Sequence, residues 1–75
     1  MSEKVIIFGK NTWPYTIAAR EAYENEGRNV VYHDVLSDKA QLKSMLVYSK
    51  GDRKVPVIVD QGRVAIGYNG KGWKI

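Results

Sequence analysis

Lys10-Asn11-Thr12-Trp13-Pro14-Tyr15-Thr16 lies between an apolar run, Val5-Ile6-Ile7-Phe8, and an alanine-rich run containing Ala18, Ala19 and Ala22. The apolar run reads as a central strand covered on both faces. The alanine-rich run reads as a helix over residues 14 to about 26, with Gly27 as its stop. A strand that turns directly into a helix places the turn at the strand's carboxyl end. The first amides of that helix then aim at whatever occupies the turn, and their dipole favours an anion or a thiolate-like group. Pro14 suits the first helical position, where a missing N–H costs nothing. Thr12 or Trp13 therefore falls at or near the cap.

Working outward, Val30 to Val35 reads as a second strand. A strand–helix–strand unit implies parallel pairing with a right-handed crossover. Ser37 is the expected cap of a second helix, with Asp38 in its first turn and Leu42, Met45 and Leu46 as its apolar stripe. That helix ends near Ser49 to Gly51. Val55 to Val59 and Arg63 to Ile66 read as two further strands, joined by a Gln61-Gly62 hairpin. The resulting order is β-α-β-α-β-β with a four-stranded mixed sheet, in one domain spanning residues 1–75.

The composition narrows the chemistry. The chain has 75 residues, no cysteine, one histidine and a net charge of +4. Without cysteine there is no disulfide framework and no thiolate metal site. Thiol–disulfide exchange is also excluded as written, because the thiolate is the attacking species. A lone His33 and scattered carboxylates give no transition-metal spacing. The basic residues do not stripe one helix, so a solvated basic surface is preferred to a nucleic-acid site. No apolar run approaches the ~20 residues that span a bilayer. The start, Met1-Ser2-Glu3-Lys4, does not read as a secretory leader. A cytoplasmic monomer without a membrane partner is the expectation.

Lys10-x-Thr12-x-Pro14-Tyr15 after a first strand resembles the active-site turn of glutaredoxins, whose motif is Cys-Pro-Tyr-Cys or Cys-Pro-Tyr-Ser. Lys54-Val55-Pro56 resembles the family's Thr-Val-Pro, and Gly67-Tyr68-Asn69-Gly70 its Gly-Tyr-Asp-Asp. The three segments match in order and spacing over nearly the whole chain. The resemblance implies a thioredoxin-like fold in which the C-terminal third helix of relatives is missing, and a glutathione-dependent disulfide oxidoreductase acting in redox homeostasis. It also implies a cis-proline at Pro56, facing the active-site turn and leaving the backbone of Val55 free to pair with an extended ligand. A trans proline that simply starts the strand is the plainer reading of the residues.

The resemblance assigns roles residue by residue. Trp13 stands at the nucleophile position and Thr16 at that of the second cysteine. Lys10 would lower the nucleophile's pKa or meet a glycyl carboxylate, which Arg53 would also reach. Tyr15 would wall a glutathione groove. Val55 and Pro56 would present the cysteinyl-pairing backbone, and Asn69 and Gly70 would meet the γ-glutamyl end. Glutathione enters as a co-substrate, with protein disulfides as further partners, and no cofactor or metal is implied.

An indole cannot act as the nucleophile. One explanation is a non-catalytic thioredoxin-fold module that binds glutathione or a peptide, with Trp13 as an anchor. A second is an engineered Cys→Trp change. The third is native selenocysteine at position 13, whose UGA codon is one base from UGG and is readily recoded to tryptophan. In that case the chain is similar to the small glutaredoxin-like (seleno)proteins called the Uxx-star family, and the tryptophan form is inert. Thr12 and Thr16 fit helix capping better than nucleophilic attack, since no base adjoins them. His33 reads as a surface histidine on an edge strand, facing away from Asp34.

Overall fold

The computed structural model describes residues 4–75, so Met1-Ser2-Glu3 lie outside the described residues. Strand β1 (Lys4–Gly9) is central and carries buried side chains on both faces. Helix α1 (Pro14–Asn25) follows it, and β2 (Asn29–Asp34) returns parallel to β1 in register from Lys4↔Asn29 to Gly9↔Asp34. Helix α2 (Lys39–Tyr48) then leads to β3 (Lys54–Val55), β4 (Val57–Asp60) and β5 (Arg63–Ile66). The main sheet has the order β2-β1-β4-β5, with β4 antiparallel to both neighbours. This is the four-stranded mixed sheet with two helices that the sequence predicts.

Alternation along β1 and β4 divides the core in two. Val5, Ile7 and Ile58 face α1, where Ala19 and Tyr23 pack on them. Phe8, Val57 and Val59 face α2, where Met45, Leu42 and Leu46 pack on them. The helices thus cover opposite faces, which is why β1 can be apolar along almost its whole length. His33 lies on the edge strand β2, as its position predicts, with its ring stacked 5.5 Å from that of Phe8.

Several local expectations are corrected. The cap of α2 is Asp38, not Ser37: the Asp38 carboxylate accepts from the amides of Ala40 and Gln41. The Ser37 hydroxyl instead donates to Asp34, whose other carboxylate oxygen accepts from the Leu36 amide, so it is spent on the preceding turn. Ala18 faces solvent, and the buried seam of α1 runs through Thr16 and Ala19. The expected strand Val55–Val59 is broken at Pro56, which supplies no N–H to a ladder. Its two halves pair differently. Val57 onward joins the main sheet, whereas Lys54 and Val55 pair with a short strand, β6 (Trp73–Lys74), in a separate two-stranded sheet. Tyr68 packs on the Val5–Ile7–Ile58 cluster.

Candidate functional site

The turn after β1 is closed by the Trp13 amide donating to the Lys10 carbonyl at 3.0 Å. Trp13 is the N-cap of α1, with extended backbone angles and Pro14 at the first helical position. Its carbonyl accepts from the amides of Thr16 and Ile17, as a cap carbonyl should. The Trp13 side chain makes no capping hydrogen bond. The β-carbon of residue 13 therefore stands at the positive end of a 12-residue helix, where the dipole favours an anionic side chain.

The Trp13 ring packs partly buried against the core cluster that contains Val55. It lies 5.4 Å from the Tyr15 ring and 5.3 Å from the Trp73 ring, both tilted. Lys10 reaches over the same group, its Nζ 5.8 Å from the centre of Trp73. The Trp13 Nε1 is buried without a hydrogen-bond partner among the described residues. Trp13, Tyr15 and Trp73 thus form one aromatic group, with the Lys10 ammonium over its Trp73 ring.

Val55 and Pro56 are fully buried, and the Val55–Pro56 peptide bond is cis, as the resemblance implies. The Pro56 carbonyl accepts from the Gly67 amide at 2.7 Å, which ties the second motif to the third. Trp73, opposite Val55 in the ladder, completes the connection to the turn at residue 13. All three quoted segments therefore come together at one end of the sheet.

The remaining named residues have structural partners of their own. Thr16 is fully buried, and its hydroxyl has no partner among the described residues. A β-carbon added at Gly9 would lie 2.6 Å from Thr16 Cγ2 and 2.7 Å from its Oγ1, so the threonine is seated directly on the end of β1. Asn69 and Gly70 occupy the two central positions of a tight turn, with φ of 52° and 75°. Tyr68 and Lys71 exchange both backbone hydrogen bonds around them, at 2.8 and 2.9 Å. Both positive φ values suit Asn-Gly, the common two-residue hairpin pair. The turn sends the chain back along Lys54–Val55. Arg53 is exposed, and its Nε donates to the Ile75 carbonyl at 2.6 Å.

The segment that sequence reasoning missed is Trp73-Lys74-Ile75. The signal was present: an Asn-Gly pair followed by apolar–basic–apolar alternation is a hairpin returning as a strand. Among the described residues there is no cluster of three or more side chains that would hold a metal, and no helix is long and apolar enough to cross a membrane.

The comparisons agree with this geometry. A search of curated proteins finds no match. A solved glutaredoxin from Archaeoglobus fulgidus superposes with a TM-score of 0.69 and 27% sequence identity, covering 92% of this chain and 78% of the archaeal one. The Glutaredoxin family model matches residues 5–65, most of the chain, from the first strand through the cis-proline to β5. The chain belongs to the glutaredoxin family.

Proposed function

We propose that the chain is a glutathione-linked disulfide oxidoreductase whose native nucleophile, selenocysteine at position 13, is replaced here by tryptophan. The observation that carries this reading is the place of residue 13. It caps α1, its amide donates to the Lys10 carbonyl, its ring packs against the core cluster that contains Val55, and it carries the one side chain that the chemistry cannot use. A selenolate there is stabilised by the helix dipole and by the nearby ammonium.

The reaction needs few parts. The selenolate attacks one sulfur of a glutathione mixed disulfide, forming a Se–S bond as the S–S bond breaks, and the leaving thiolate takes a proton from water. A second glutathione thiolate attacks the glutathionyl sulfur, releasing the selenolate and glutathione disulfide. The glutathionyl sulfur stays at the disulfide level throughout, and the one free glutathione consumed is oxidised as the leaving sulfur is reduced to its thiol, so the disulfide bond moves from the mixed disulfide to glutathione disulfide. Thr16 carries no thiol and cannot form an internal bond, so glutathione itself resolves the intermediate. Lys10 and Arg53 offer cations to the ligand's carboxylates, Tyr15 walls one side of the groove, and Asn69 and Gly70 are assigned to the γ-glutamyl end.

The test is Trp13→Cys, and Trp13→selenocysteine, assayed for glutathione-dependent reduction of a small mixed disulfide. Turnover is expected in both and absent in the tryptophan form. No gain over the tryptophan form overturns the reading. A second reading, a non-catalytic module that binds glutathione or a peptide, is favoured by the seating of the indole between Tyr15 and Trp73. It requires amide shifts at residues 10–16, 55 and 67–70 when glutathione is added to the tryptophan form.

A further inference from the structure

We propose that Trp73-Lys74-Ile75 is a displaceable strap, which occupies the backbone edge that an extended ligand must use and so gates the groove. This rests on the disulfide-exchange reading above for the identity of the ligand, but the strap itself rests on backbone geometry.

Strand β6 runs antiparallel to β3, pairing Lys54 with Lys74 and Val55 with Trp73. The Ile75 amide donates to the Arg53 carbonyl at 3.0 Å, which puts a backbone bond of the ladder at the position where Arg53 faces Ile75. Antiparallel ladders alternate bonded and non-bonded pairs, so the next bonded pair, two residues on, is Val55 with Trp73. A residue has one backbone N–H and one carbonyl. With both engaged by Trp73, Val55 cannot pair with the backbone of a second strand.

The strap is also light. It is two residues long as a strand, and Trp73 remains 50% exposed. Its side-chain anchors are few. Trp73 rests on Trp13, Arg53 donates to the Ile75 carbonyl, and Ile75 packs against the core cluster around Val55. Opening it frees a complete acceptor edge beside position 13, flanked by Lys54, Arg53 and Lys10. An incoming extended peptide with carboxylates regains the same backbone bonds and meets the cations. The apparent affinity of such a ligand is reduced by the fraction of chains in the open state, so a strap open about a tenth of the time costs about tenfold.

The experiment uses the full chain in its Trp13→Cys form, with and without Trp73→Pro, which deletes the strap's N–H to Val55. Ile75→Pro, which deletes the bond to Arg53 and keeps the indole, serves as a second opener. S-methylglutathione, which cannot react, is titrated while the Val55 amide is followed. The opened forms are expected to bind about fivefold or more tighter than the closed one. Equal affinity overturns the strap and leaves the oxidoreductase reading intact.

Binding to none of these forms refutes the glutathione reading, and the peptide Lys-Gly-Trp-Lys-Ile, capped at both ends, then decides the strap. A Val55 shift in the opened forms alone upholds it, and no shift in any form overturns it. Amide exchange of the unsubstituted chain is a further check. The Trp73 and Ile75 amides are expected to be protected, and free exchange at both removes the proposal.

Discussion

At residue 13 and its neighbours the chain carries two buried polar atoms that nothing among the described residues satisfies, Trp13 Nε1 and Thr16 Oγ1. An unpaired buried donor or acceptor costs about 1–3 kcal/mol, and removing it while keeping its shape is close to neutral or better. Thr16→Val is therefore expected to hold or raise stability in urea unfolding, and a loss of more than about 1 kcal/mol would show that the hydroxyl has a partner. Gly9→Ala should do the opposite. Its new methyl meets Thr16 at contact distances no real side chain shows, and overpacking of this kind costs about 1–3 kcal/mol. Pairing it with Thr16→Ala should recover part of that loss, so the double variant is less destabilised than the sum of the two. Simple additivity would mean that the two residues do not press on one another. The sequence shows the motif but not this contact, because a glycine at a strand end reads as a turn residue until the helix is seen resting on it.

At the level of elements, the legible parts were those with a strong local period. The two helices, the parallel β1–β2 pair and the β4–β5 hairpin follow from apolar spacing and from turn chemistry. The cap of α2 was placed one residue early, because Ser37 and Asp38 are both good caps and only the competing turn at Asp34 decides between them. Asp38→Ala should cost about 1 kcal/mol, and Ser37→Ala less than half of that, measured by urea unfolding. A larger loss at Ser37 would return the cap to the earlier residue. The strand β6 is faint for a different reason. The Asn-Gly pair and the short alternation after it point to a returning strand, but two residues carry almost no period of their own, and the partner β3 is hidden inside what reads as one continuous strand through Pro56. The candidate site shared that fate. Trp13 packs between Tyr15 and Trp73, and Trp73 pairs with Val55, whereas Asn69 and Gly70 serve a turn whose purpose is visible only once the returning strand is known.

Over the whole molecule, the sheet's α1 side holds two tyrosines that tie stability to alkaline pH. Tyr32 has its ionisation pushed up to about 12, first by burial, then by the Asp34 carboxylate, against the opposing charge of Arg20. The Arg20 guanidinium lies 4.1 Å from the Tyr32 ring centre, and the Tyr32 hydroxyl is buried without a partner among the described residues. Tyr23 is raised as well, chiefly by burial and then by Asp60, which is itself held by a two-pronged ion pair with Arg28. A phenol whose folded value lies above its unfolded value keeps its proton longer in the folded chain. The stability it contributes is complete below pH ~10 and is lost as pH rises toward the folded value, because the unfolded chain then releases protons first. The urea midpoint should therefore be unaffected by these two tyrosines up to pH ~9 and fall between about 10 and 12. Tyr32→Phe removes the larger shift and the unpaired hydroxyl together. It should leave stability at pH 7 unchanged or slightly higher and recover about 1 kcal/mol of the alkaline loss, a figure discounted for the partly solvated ring. If the variant and the parent lose stability in parallel through that range, the alkaline fall belongs to the lysines, and the tyrosine is not what closes this face of the sheet.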